Sequence, residues 1–178
     1  LDTTEVTKIS ANHEHDHIRI YLRAKRLIFK KNIWKLENAI ESQIFKGKNL
    51  KVTIIESYQL SEQYTPRSLM DVYKDSILDE INRHSVLEYN LLRTAEMKFT
   101  DDYHMVMTLD ETIIAKTRTN EIMEFLEKVV CERCGFDFHI NVEYRQPEES
   151  RYRKNSEKQI QQEVENIISR TKFAIKDD

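Results

Sequence analysis

Glycine, proline and cysteine are all scarce in this sequence of 178 residues, which has 2 Gly, 2 Pro and 2 Cys. Phosphate-binding loops need several closely spaced glycines, so the sequence contains no such loop. The two cysteines, Cys131 and Cys134, do not form the spread-out set of a secreted disulfide-linked domain. A reducing, cytoplasmic location is therefore expected.

Long apolar runs are also absent. No stretch approaches the roughly 20 apolar residues of a membrane-spanning helix, and no secretory signal opens the sequence. Hydrophobic residues make up 39% of the chain and charged residues 33%, with a formal net charge of -3. This balance predicts modest cores under a charged surface. It does not favour a general nucleic-acid binder, because such proteins are usually basic.

Recognisable catalytic motifs are missing as well. The sequence contains no Gly-x-Ser-x-Gly elbow and no His-Glu-x-x-His metal helix. Its carboxylates fall mostly on predicted solvent-facing helix positions. We therefore expect this chain to be no enzyme, with no catalytic, cofactor-binding or metal-binding residues of its own.

Apolar periodicity predicts two strand–helix–strand units. In each unit, alternation with a period of two marks the strands, and spacings of three and four mark the helix. The predicted elements are Ile18–Leu22, Ile33–Phe45 and Leu50–Ile55 in the first unit, and Tyr103–Leu109, Asn120–Cys134 and Phe136–Tyr144 in the second.

Two further helices are predicted between these units. A linker over Ser57–Arg67 leads to a helix that Pro66 opens, and a second helix follows over Val86–Met97. Ser85 and Glu88 have the spacing of a capping box at the start of the second helix. A last amphipathic helix is expected over Ser156–Arg170, whereas residues 1–15 are expected to be polar and frayed.

Helix ends give three more expectations. Asn32 is a candidate N-terminal cap for the first unit's helix. Gly47 and Gly135 follow the two unit helices, where a left-handed residue is often needed. They are also the only glycines, so the Gly-x-x-Gly clamp by which KH domains hold RNA is missing.

The expected fold class is α+β. We predict two small domains, each a small β-sheet packed against helices with a layering that can be KH-like, followed by a C-terminal helix. Strands joined through a helix can pair in parallel, but the sequence does not fix their order.

A basic segment is the candidate interaction surface. Three of its residues share the exposed face of the first predicted strand, and four follow that strand; the set is Arg19, Tyr21, Arg23, Lys25, Arg26, Lys30 and Lys31. Such residues can contact a phosphate backbone, stack on a base, or bind an acidic protein. They can equally form a solvated face that discourages aggregation of the strand edge.

Two motifs suggest a metal or redox site, each with a simpler alternative. Cys131 and Cys134 have the spacing of a zinc or redox pair, but a zinc site needs four ligands and a redox pair begins a helix rather than ending one. Two small residues in the last turns of a helix are the simpler interpretation. His13, His15 and His17 alternate in an expected extended segment and suggest a transition-metal site, against a solvated terminus.

The sequence as a whole resembles a known family, the PolC-type DNA polymerase III alpha subunit of Gram-positive bacteria, in its N-terminal region. The resemblance extends over nearly the whole chain after about residue 8. It is carried by Ile18–Leu22, Gln43–Phe45, Leu50–Ile54, Leu60–Thr65, Asp75–Leu78, Glu88–Leu92, Cys131–Gly135, Glu149–Lys154 and Ser156–Arg170.

This resemblance implies part of a longer protein. Residues 8–60 would form a domain like N-terminal I, residues 61–147 one like N-terminal II, and residues 148–178 a charged connector and helix leading to an OB-fold domain. The polymerase and exonuclease active sites of the family lie outside this region, and its DNA contacts are made mainly by other domains.

The implied function is a non-catalytic docking module for replisome proteins, with the tau subunit of the clamp loader as the expected partner. No cofactor and no membrane contact are implied. The alternative is direct binding of single-stranded nucleic acid by the basic patch near Lys25–Lys31.

Overall fold

The computed structural model describes residues 4–47 and 49–146, together with the single residue 162. Its fold is α+β, with two small three-stranded sheets packed against four helices. The elements in chain order are β1 (Thr4–Ala11), β2 (His17–Ala24), α1 (Lys30–Gln43), β3 (Lys51–Tyr58), α2 (Pro66–His84), α3 (Val86–Thr94), β4 (Glu96–Phe99), β5 (His104–Asp110), α4 (Ile113–Glu127), a π-helical turn (Lys128–Arg133) and β6 (His139–Arg145).

The two sheets share one topology. In the first sheet, β1 pairs antiparallel with β2, and β2 pairs parallel with β3. In the second sheet, β4 pairs antiparallel with β5, and β5 pairs parallel with β6. Each parallel pair is joined through a helix, α1 or α4, as the strand–helix–strand pattern predicts. The chain therefore repeats one β-β-α-β unit, although the notable difference in length between β1 and β4 hides it.

Alternation along β3 decides which face of the first sheet is buried. Val52, Ile54, Glu56 and Tyr58 point inward, and the residues between them point to solvent. Because α1 packs on β3 and on α2, it covers the inner face mainly at that edge. The first unit contributes a small cluster of its own, formed by Leu22, Ile33 and Ile54.

The larger core belongs mostly to the second unit and reaches into the first. It includes buried residues of α2, α3, α4 and the second sheet, and also Ala24 and Tyr58 of the first sheet. The Tyr73 hydroxyl of α2 donates to the backbone carbonyl of Ile28 at 2.7 Å. The second unit thus completes the burial of the first unit's sheet.

Two strands were not expected from the sequence. Residues 1–15 were predicted to be frayed, but Thr4–Ala11 form β1. The helix predicted over Val86–Met97 ends at Thr94, and Glu96–Phe99 form β4. Both strands are edges whose outer hydrogen-bonding side carries no pattern in the sequence.

Helix and strand limits also differ in the second unit. The helix predicted from Asn120 begins at Ile113, where the Thr112 side chain accepts a bond from the Ala115 N–H. Its last six residues are π-helical. The final strand begins at His139, three residues later than Phe136.

Helix ends give mixed outcomes. The prediction for Asn32 is wrong, because the N-terminal cap position of α1 is Phe29, without a side-chain bond. Pro66 opens α2 as predicted, and Ser57 and Tyr58 of the proposed linker belong to β3, so residues 59–65 connect the units. Ser85 accepts a bond from the Glu88 N–H.

Both glycines are left-handed as expected, with φ of 81° at Gly47 and 72° at Gly135. The predicted connector and helix over residues 148–178 lie outside the described residues, apart from residue 162. Among the described helices, none is both long and apolar enough to cross a membrane.

Candidate interaction surface

The outward face of the first sheet carries three of the residues predicted to form a surface. Arg19 and Arg23 are exposed and Tyr21 is half-buried on β2, opposite the face that packs on α1. Lys8 of β1 pairs with Tyr21 in the strand register, and its ammonium lies 5.5 Å from the centroid of the Tyr21 ring. Arg23 pairs with Glu5 of β1 at 3.3 Å. These side chains form a basic face with one aromatic ring at its centre.

The rest of the predicted basic segment is split by the fold. Lys25 and Arg26 are exposed just after β2. Lys31 is exposed on α1 and pairs with Asp79 of α2 at 3.0 Å. Lys30 does not belong to the surface, because it is buried and its ammonium bonds to Glu56. A single patch over Lys25–Lys31 is therefore not formed.

Lys30 is instead part of a buried network of four charges. Arg133 donates two bonds to the Glu80 carboxylate, at 2.6 and 2.7 Å, and one to Glu56 at 3.1 Å. The Lys30 ammonium lies 3.5 Å from Glu80 in addition to its bond with Glu56. Two positive and two negative side chains therefore join α1, β3, α2 and the π-helical turn.

The network keeps its carboxylates charged. Burial opposes ionisation of Glu80, but the bonds from Arg133 and the charges of Arg133 and Lys30 outweigh it and hold the pKa of Glu80 below its usual range. Among the described residues, no buried side-chain nitrogen or oxygen lacks a hydrogen-bond partner. We infer that the network fixes how the two units meet.

The sequence contained a signal for this network. Glu56 has the inward phase of β3, between Ile54 and Tyr58, and Glu80 lies within the apolar stripe of α2 next to Ile81. A charged residue at a buried position needs a partner of opposite charge. The pattern could therefore have identified two buried carboxylates, but not which cations pair with them.

A cleft of about 360 Å³ lies between α1, β3 and the end of α2. Along its wall, Glu37 of α1 accepts the backbone N–H of Ile54 at 2.7 Å, and Glu41 accepts that of Val52 at 2.6 Å. Burial raises the pKa of Glu37, although the Ile54 bond acts the other way. Because these edge donors are already bonded within the chain, this stretch of β3 is not an open template for another strand.

The cysteine pair lies in the π-helical turn and just after it. Cys134 is buried, and burial raises the pKa of its thiol to about 12. Burial, together with the nearby charge of Glu127, also raises the pKa of Cys131. Redox cysteines need the opposite shift, so the geometry favours the interpretation as small packing residues.

Alkylation tests this assignment of the cysteines. The rise from 9.0 to about 12 leaves about 1,000-fold less thiolate at Cys134. We expect iodoacetamide at about pH 8 to modify Cys134 at least about 100-fold more slowly in the native protein than in guanidinium. Mass spectrometry of a time course measures both rates. Equal rates in the two conditions would show an exposed, reactive thiol.

The histidines predicted to alternate in an extended segment do not do so. His13 and His15 lie in the turn between β1 and β2, where His15 has a φ of 56°, and His17 begins β2. The His17 ring is 2.8 Å from the Thr53 hydroxyl. Within the described part of the chain, no three His, Cys, Asp or Glu side chains are placed to hold a metal ion.

Comparison of the chain with protein-family models, curated proteins and solved structures finds no match. The resemblance to a polymerase family therefore rests on the sequence pattern alone.

Proposed function

We propose that this chain is a non-catalytic docking module from the N-terminal region of a PolC-type DNA polymerase III alpha subunit. In this proposal it binds a replisome protein, the tau subunit of the clamp loader, in the cytoplasm. The sequence resemblance supplies the family, and one surface of the first unit supplies the support for docking.

That surface is apolar and uncovered. On β1, Val6 and Ile9 are 56% and 64% exposed although they pair with Leu22 and Ile20, which face inward. On α1 and at its end, Leu36 and Ile44 are 45% and 69% exposed. We call Val6, Ile9, Leu36 and Ile44 the apolar surface of the first unit.

The apolar surface exists because α1 covers only part of the sheet. The helix packs on β3 and α2, so the same face of β1 is left open. Contiguous exposed apolar side chains commonly mark protein interaction sites, and the buried centre of such interfaces is apolar. The basic outward face of the sheet lacks this character, so we assign docking to the apolar surface.

Binding of the tau subunit to the whole chain, measured by calorimetry, tests this proposal. We expect Ile9→Lys to weaken binding by about 10-fold or more, because a charge at the centre of an interface must be desolvated. The matched control is Ile113→Lys, which changes an 83% exposed isoleucine at the start of α4 in the second unit. It should leave the affinity unchanged.

Two results would contradict the proposal in different ways. If the unchanged chain does not bind tau, the partner is wrong. If Ile9→Lys and Ile113→Lys weaken binding equally, tau docks elsewhere and the apolar surface is not the site.

A further inference from the structure

The basic outward face of the first sheet presents a second surface, distinct from the apolar one. The strand registers bring Lys8, Tyr21 and Ile55 side by side across its three strands. Ile55 is 38% exposed, although it lies on the central part of the sheet. The face is thus an open sheet surface rather than one packed under a helix.

Cations on this face are concentrated in an otherwise acidic chain. The four are Lys8, Arg19, Arg23 and Lys51, and all are exposed. Within residues 4–47 and 49–146, the only ion pair on the face is that of Arg23 with Glu5, whose side chains are 47% and 63% exposed. An exposed pair of this kind is weak and exchanges easily. The face therefore offers several cations to an anionic ligand.

Spacing places these cations around the aromatic ring. Arg19 and Arg23 are two residues away from Tyr21 on the same strand and the same face, which is about 6.6 Å on each side. Lys51 lies on β3 next to the start of β2, where it pairs with His17. A ring flanked by cations along an extended strand suits a chain of alternating bases and phosphates.

We propose that this face binds single-stranded nucleic acid. One base stacks on the Tyr21 ring, in place of the Lys8 ammonium that now lies over it, and neighbouring phosphates contact Arg19, Arg23 and Lys51. A duplex is disfavoured because its bases are stacked on one another and not available to the ring. An acidic polypeptide would use the cations but has no need of the ring.

Fluorescence anisotropy with a labelled oligodeoxythymidine of about 15 nucleotides tests the proposal on the whole chain. Affinity should fall steeply between about 50 and about 200 mM salt. Tyr21→Ala should weaken binding by about 10-fold, whereas Tyr21→Phe, which keeps the ring, should bind like the unchanged chain. Replacing Arg19 and Arg23 together by alanine should reduce the salt slope by about 2.

Lys35→Ala is the matched control, because Lys35 is an exposed lysine on α1, on the other side of the sheet. It should change neither the affinity nor the slope by more than one phosphate contact. Circular dichroism of each variant checks that the fold is kept.

Three results would overturn the proposal. These are no saturable binding at about 50 mM salt, equal weakening by Lys35→Ala and by the arginine changes, and full affinity of Tyr21→Ala. Displacement of the oligonucleotide by polyglutamate, combined with an inert Tyr21→Ala, would assign the face to an acidic protein. The result does not depend on whether tau binds the apolar surface.

Discussion

Replacing Arg133 with methionine is expected to lower the free energy of unfolding by about 3–5 kcal/mol at neutral pH. The change removes three hydrogen bonds and leaves Glu56 and Glu80 buried with Lys30 as their only cation. The cost is therefore that of an unpaired buried carboxylate and not merely of lost packing. Urea denaturation followed by circular dichroism measures it.

The penalty should depend on pH in a defined direction. The network holds the pKa of Glu80 below its usual value of 4.5, so it contributes stability that is present above that value and is lost as pH falls. Arg133→Met abolishes this contribution. We therefore expect the difference between the two proteins to shrink as pH falls below about 4.5.

Two variants serve as controls for this prediction. Arg93→Met changes an exposed arginine on α3, whose guanidinium is 5.9 Å from the Tyr89 ring, and should cost about 0.5 kcal/mol. Adding Glu80→Gln to Arg133→Met restores charge balance and should recover part of the loss. If Arg133→Met costs no more than Arg93→Met, the network does not hold the units together.

Elements that bury one face were predictable from the sequence, and edge elements were not. β2, β3 and β5 alternate because one side of each is buried, and their apolar residues record that alternation. β1 is exposed along most of its length, and an irregular register between Val6 and Lys8 interrupts its period. Burial does not impose a pattern there.

The four-residue strand β4 was missed for a different reason. Met97 continues the helical spacing of the residues before it, so the periodicity extends the helix three residues beyond Thr94. The pairing of Met97 with Met107 of β5 is what makes this stretch a strand. Such a contact is tertiary and cannot be derived from a local pattern.

Candidate sites follow the same division. The outward phase of Arg19, Tyr21 and Arg23 is local and was predicted correctly as to face. The burial of Lys30 is not local, because its partners lie 26 and 50 positions away, at Glu56 and Glu80. A basic run in the sequence therefore became one exposed face and one buried ion pair. Only the fold separates them.

The two units are expected to differ in whether they fold alone, and cutting the chain after residue 60 should unfold the first. Its own cluster contains only Leu22, Ile33 and Ile54. The cut removes the residues that bury Tyr58 and leaves Lys30 and Glu56 without Arg133. Chains this short are marginal even with a complete core.

Residues 61–146 are the matched fragment and should remain folded. They keep nearly the whole larger core, and Arg133 keeps its two bonds to Glu80. Far-UV circular dichroism and amide dispersion in proton NMR spectra compare the two fragments. A cooperative unfolding transition for residues 1–60 alone would make the first unit an autonomous domain. Recovery of its structure only on mixing with residues 61–146 would instead place its stability in the shared core and the buried charges.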